Sequence, residues 1–300
     1  MPRSRHPQPS RSPRRIIAAI AIVLMGLGGA IWGVTALLGR HDLLPSDQYC
    51  EATANDLTYR LAVDQTENAA MMAQIAERRD LPPRAVTIAL ATALQESKLR
   101  NIDYGDRDSL GLFQQRPSQG WGTEEQVMDP IYATKKFYSE LVKVPDYENL
   151  PVTEAAQAVQ RSAFPDAYAQ HEDLARAFAS ALTGHSPAGL TCVLRDPEEG
   201  FADPNALIKT LRKQRGKDKT QAEVLPPADD DGPSVVLLTA ADERGAWGLA
   251  AWAVAHASAA EVVRVEVAGQ AWVRATESWG ELPYETVGSK DHVVRIVLLS

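Results

Sequence analysis

From Ile16 to Gly39 the chain runs for 24 residues without a charge, and no polar face interrupts the run. About 20 apolar residues span the hydrocarbon core of a bilayer as a helix, so the stretch predicts a transmembrane segment at 16–39 behind a basic tail at 1–15. Between residues 64 and 184 the apolar positions recur instead with helical period. Asp64-Gln65-Thr66-Glu67 reads as a capping box that opens a helix through Ala69, Met72, Ile75 and Ala76. Leu81-Pro82-Pro83 breaks the chain and supplies a first-turn proline for a helix over 83–98. That helix is apolar nearly all round, which predicts a place at the centre of the core. Thr123 caps a short segment, Pro130 opens another helix, and two more follow at about 152–162 and 170–183. No strand pattern stands out before Cys192, so residues 45–195 are expected to form an all-α domain.

The pattern changes after that. Residues 196–232 read as a linker with one helical turn around Asn205–Arg212, ending in Pro226-Pro227 and an Asp-rich stretch. Val235–Leu238 then reads as a strand, Ala246–Ala259 as an Ala-rich helix, Val262–Thr276 as a strand pair and His292–Leu299 as a final strand. The expected fold class is thus a single-pass membrane anchor, an all-α domain, and a small α+β domain at 233–300. Trp247 and Trp252 belong to the core of the last.

Charge adds a direction to this layout. Six arginines and no acid lie in residues 1–40, which leaves 25 basic against 39 acidic side chains for the rest. Cationic flanks stay in the cytoplasm, so the N-terminus is expected inside the cell membrane and the bulk outside it. The run is longer than a signal peptide's apolar region and Gly33–Leu37 is a poor cleavage site, which favours an uncleaved anchor. The net charge of −8 argues against nucleic acid as a partner. Outside the cytoplasm the two cysteines, Cys50 and Cys192, are expected to form a disulfide.

Candidate chemistry is concentrated in one stretch. Glu96 falls in the last turn of the apolar helix, where the negative end of the helix dipole and apolar walls both disfavour a carboxylate. A carboxyl that keeps its proton is what protonation of a leaving oxygen requires. Glu96-Ser97 is followed at +15 by Gly111-Leu112-Phe113-Gln114, and further on by Asp129-Pro130-Ile131-Tyr132-Ala133. These motifs resemble the signature of soluble lytic transglycosylases and goose-type lysozymes, with Phe113 where that family has Met. The likeness covers roughly residues 60–185, and the block through Trp121 is similar to an actinobacterial branch of membrane-anchored lysozyme-like proteins.

The resemblance implies a lysozyme-like domain that cuts the β-1,4 bond between N-acetylmuramic acid and N-acetylglucosamine in peptidoglycan glycan strands. Glu96 is implied as general acid and base, the substrate's acetamido group as the stabiliser of the oxocarbenium-like centre, and a 1,6-anhydro sugar as product. Ser97, Gly111, Leu112, Phe113, Gln114 and Gln115 are implied to line or shape the cleft. The family's later Tyr-Asn-Ala-Gly-like segment is not evident, and Gln160 and Tyr168 stand as substitutes for it. Asp106 and Asp108 are possible second carboxylates; facing Glu96, either would make the enzyme an inverting lysozyme-type hydrolase. The alternative is an Arg107-paired turn. EF-hand spacing is missing, as are a zinc-protease motif, a nucleophile elbow and a phosphate loop, so neither metal nor cofactor is expected. The rival function is a non-catalytic wall-binding or scaffold protein. The partner of residues 233–300 is not legible.

Overall fold

The computed structural model describes residues 48–54, 56–162, 165–197, 202–227, 232–282 and 292–299. The chain begins there with a hairpin, β1 (Tyr49–Ala54) and β2 (Leu57–Ala62). A third strand, β3 (Leu190–Val193), pairs with β1 from the far end of the helical region, giving the order β2-β1-β3. Its register puts Cys192 directly opposite Cys50, and the two form the disulfide expected from the sequence.

This corrects the expected fold class. The described residues form a mixed α+β structure with eight helices and two antiparallel sheets, and the 45–195 region is not all-α. The physical reason lies in side-chain size. In β1 the inward positions are Cys50 and Ala52, both fully buried, between Tyr49, Glu51 and Thr53. Period two is present there, but small inward residues carry little hydrophobic signal. In β2 the signal is inverted at Leu57, which is exposed. Among the described residues no helix is long and apolar enough to cross a membrane, and the expected span at 16–39 lies outside them.

Between the strands run α1 (Val63–Arg78), α2 (Pro83–Ser97), α3 (Glu124–Met128), α4 (Pro130–Leu141), α5 (Val152–Gln160) and α6 (Glu172–Leu182). Helix α1 starts one residue before the predicted capping box. Gln65 Oε1 accepts from the Ala62 amide at 2.9 Å, and Asp64 pairs with Arg100 at 2.7 Å. Helix α2 is the central one, and Ala85 through Leu94 are all buried. It ends where Lys98 and Leu99 both turn left-handed and their amides close on Leu94 and Ala93 (3.0 and 2.8 Å). Asp129 caps α4 by accepting from the Ile131 amide at 2.9 Å.

Residues 47–300 form one compact unit. The described part of the segment read as a linker contains α7 (Pro204–Arg215) and β4 (Gln221–Leu225). Then come β5 (Val235–Thr239), α8 (Glu243–Ala255), β6 (Val262–Val267), β7 (Gln270–Val273), β8 (Ser278–Glu281) and β9 (Val293–Leu298). The second sheet has the order β4-β5-β9-β6-β7-β8. Polar contacts tie this region to the helices: Arg215 donates to Gln74 (2.7 Å), Arg244 to Glu77 (2.7 Å), and Trp272 to Thr191 (3.0 Å). At Gly184, φ +77°, a Cβ would lie 1.9 Å from the Arg244 carbonyl, so close backbone contact there requires glycine. One apolar core runs from Met72 and Phe178 to Trp252 and Ile296.

Candidate active site

Helix α2 delivers Glu96 at its penultimate residue, half-buried, into a groove of about 940 Å³. The 3-10 turn Pro165–His171 brings Tyr168 to the same point, and the end of α5 brings Gln160. The Tyr168 hydroxyl donates to Glu96 Oε1 at 2.7 Å, and the Gln160 side chain also hydrogen-bonds the carboxyl. Gln160 Nε2 donates in addition to the Phe113 carbonyl at 2.8 Å, which links α5 to the turn beneath the groove.

Two opposing effects act on the Glu96 proton. Burial pushes its carboxyl above the ordinary glutamate value, while the Tyr168 and Gln160 hydrogen bonds stabilise the charged form and pull it back. Burial is the larger effect, so the group sits higher than a free glutamate. Tyr168 is itself buried, and burial together with the neighbouring Glu96 charge holds its phenol protonated, as a donor must be.

The Gly111–Gln115 turn supplies the floor and one wall. Gly111 has φ +75°, and a Cβ there would stand 2.4 Å from the Val127 carbonyl oxygen. That backbone approach, rather than a visible sugar contact, is what requires glycine. Leu112 and Phe113 are fully buried, and Phe113 stacks on Phe137 with ring centroids 4.5 Å apart. Ser97 is buried, and its hydroxyl reaches the Leu112 carbonyl at 2.7 Å and that of Ala93 at 3.1 Å, pinning the turn to the helix that carries Glu96. Gln114 and Gln115 line the groove. Gln114 Nε2 donates to the carbonyls of Tyr104 and Gly111 (3.2 and 3.3 Å), and Gln115 Nε2 to that of Ala133 (3.2 Å). The motif therefore divides: Glu96, Gln114 and Gln115 face the groove, while Ser97, Gly111, Leu112 and Phe113 hold it in shape.

The two extra carboxylates separate as well. Asp108 accepts from the Ser118 amide and from Arg116 Nε, both at 2.8 Å, and those bonds hold its carboxyl well below the usual range. It is committed to its own loop. Asp106 lines the groove at an exposed position, 3.9 Å from Arg107. Among the described residues no group of three His, Cys, Asp or Glu side chains could hold a metal ion.

The opposite wall was not foreseen. Lys136, Glu140 and Lys143 come from α4 and the residues after it, and Arg161 follows α5 in a left-handed conformation. Glu140 bridges Lys143 at 2.9 Å and Lys136 at 3.7 Å. In the sequence nothing sets these charges apart from a solvated helix face. Trp121 also lines the groove. No protein-family model matches the chain, and no curated protein matches it.

Proposed function

We propose that this protein cleaves the β-1,4 glycosidic bonds of peptidoglycan glycan strands, with Glu96 as general acid and then base. The observation that carries the reading is a glutamic acid with its proton favoured by burial, set in a polar-lined groove and fixed by Tyr168. Tyr168 and Gln160 orient the carboxyl, whose proton passes to a glycosidic oxygen. As the leaving oxygen takes that proton, the acetamido carbonyl of the muramoyl residue attacks its own anomeric carbon. Glu96, now a carboxylate, then accepts the proton of the muramoyl 6-hydroxyl, whose oxygen displaces the acetamido group and closes a 1,6-anhydro ring. Of the two candidate second carboxylates, Asp108 is locked by Arg116 and Ser118, so an inverting hydrolase would have to use Asp106 to activate water.

We further propose that residues 47–300 work outside the cytoplasm. The Cys50–Cys192 disulfide supports this, since such bonds persist in oxidising compartments, and the arginine-flanked apolar run at 16–39 supports a membrane anchor. The test is digestion of purified peptidoglycan by the full-length chain, wild type and Glu96→Gln, with soluble products read by mass. Anhydro products lighter by one water than hydrolysed muropeptides, absent with the variant, are expected. Reducing-end products would make the enzyme a hydrolase and turn attention to Asp106. No products from either, with sedimentation on the wall retained, would make the protein a binder.

A further inference from the structure

The wall of the Glu96 groove built from α4, the residues after it and the end of α5 carries charge that cutting a sugar–sugar bond does not call for. Lys136, Lys143 and Arg161 line it, with Glu140 as its one acid. Glu140 lies 2.9 Å from Lys143 and 3.7 Å from Lys136, and the Lys143 hydrogen bond above all holds its carboxyl below the ordinary glutamate value. One carboxylate between two ammonium groups leaves a positive charge over. Arg161 adds another: it is exposed, and among the described residues its guanidinium has no hydrogen-bond or ion-pair partner. Two other charges that line the groove have partners of their own, Arg116 in Asp108 at 2.8 Å and Asp106 in Arg107 at 3.9 Å. The excess stands out in a chain whose residues 41–300 carry 39 acidic against 25 basic side chains.

Position matters as much as charge. Arg161 follows directly on Gln160, whose side chain hydrogen-bonds the Glu96 carboxyl. Its backbone is fixed at the end of α5, left-handed at φ 52°, with its amide closed on the Gln157 carbonyl at 2.8 Å. An unpaired guanidinium thus lines the groove one residue from a group that steadies the acid. The N-acetyl sugars of a glycan strand are neutral, and their hydroxyl and acetamido groups need no cation. The anionic groups of such a strand are carboxylates on the lactyl ethers of its muramoyl residues. They are either the lactyl carboxylate itself or the carboxylates of a peptide joined to it. A guanidinium meets a carboxylate with two parallel N–H donors, which is the pairing that the neutral glutamines of the groove cannot offer. The lysine charges on the same wall add attraction for an anion entering it.

We infer that Arg161 binds a carboxylate on the lactyl substituent of a muramoyl residue, with Lys136 and Lys143 adding positive potential, so that the groove selects strands with anionic substituents over neutral ones. The inference rests on the glycan-strand reading of the groove for its ligand, but not on turnover. The experiment therefore measures binding, by fluorescence anisotropy of labelled soluble strands added to the full-length chain carrying Glu96→Gln. Two kinds of strand are used, one bearing peptides and one stripped by an amidase to the free lactyl carboxylate, each with its carboxylates intact or capped as amides. Capping is expected to weaken binding of at least one kind about tenfold or more, as loss of a charge-assisted pair requires. The kind affected identifies the carboxylate, peptide or lactyl. Adding Arg161→Gln should bring that difference to twofold or less, while Arg161→Lys, which keeps the charge without the fork, should retain part of it. The inference falls if capping changes neither kind, if no strand binds, or if Arg161→Gln discriminates as its parent does. Cutting of the uncapped strands by the wild type is read separately: its absence overturns glycan cleavage, and the binding preference is decided by the anisotropy alone.

Discussion

At the scale of single residues, the site rests on a contest between burial and hydrogen bonding at Glu96. Tyr168 favours the carboxylate, so Tyr168→Phe should raise the Glu96 pKa further. A net hydrogen bond of about 1 kcal/mol corresponds to roughly 0.7 of a pH unit. The alkaline limb of the pH–rate profile for glycan cutting is therefore expected to move up by about that much, and an unchanged limb would show that the hydroxyl does not act on the acid. The sequence made Glu96 legible because the helix end and its apolar face are local features. Tyr168 was legible only as a substitute for a missing family segment. Its hydrogen bond joins residues 72 positions apart, which no local pattern encodes. Asp108 shows the converse: its spacing suggested chemistry, but Arg116 and Ser118 claim it.

Among elements, the Gly111–Gln115 turn is held from both sides, by Ser97 through the Leu112 carbonyl and by the Val127 carbonyl against Gly111. Gly111→Ala adds a left-handed penalty to a 2.4 Å clash, and should lower stability by about 2–4 kcal/mol. A denaturation midpoint within error of wild type would mean that the turn relaxes freely. The small sheet depends on a different link. The disulfide closes a loop across a sequence separation of 142 residues, so the chain-entropy model allows it up to about 5 kcal/mol. Cys50→Ser with Cys192→Ser is expected to lower the unfolding free energy by about 2–5 kcal/mol in urea titrations. Helices α2 and α4 were legible because Pro83, Pro130 and Asp129 mark their starts and their apolar periods are long. The strands β1, β2 and β3 were not, since Cys50, Ala52 and Leu57 give too weak or inverted an alternation, and β3 finds its partner only through the fold.

For the molecule as a whole, the region at 233–300 was read strand by strand from its Val-rich runs, but its union with the helical part was not visible. The bonds that make it, Arg215 to Gln74 and Arg244 to Glu77, join polar side chains far apart in sequence. This union also makes stability depend on pH at a half-buried and a buried group. Burial raises Glu67 from 4.5 to about 7, so the folded state holds that proton more tightly than the unfolded chain and stability falls as pH rises through that window. His256 acts in the opposite direction: lowered from 6.5 to about 4, it costs stability as pH falls through that range. Glu67→Gln should therefore leave stability near pH 4 unchanged and raise it at pH 8 by about 1–2 kcal/mol after solvent screening, read from melting curves at both pH values. Equal midpoints at pH 8 would contradict that assignment. The claim on which the functional reading turns is the proton of Glu96, and carboxyl-carbon NMR of the full-length chain across pH 3–9, with Glu96→Gln to assign the resonance, measures it directly. The account predicts a Glu96 midpoint above the ordinary value of 4.5; a midpoint at or below 4.5 would leave the groove without its acid.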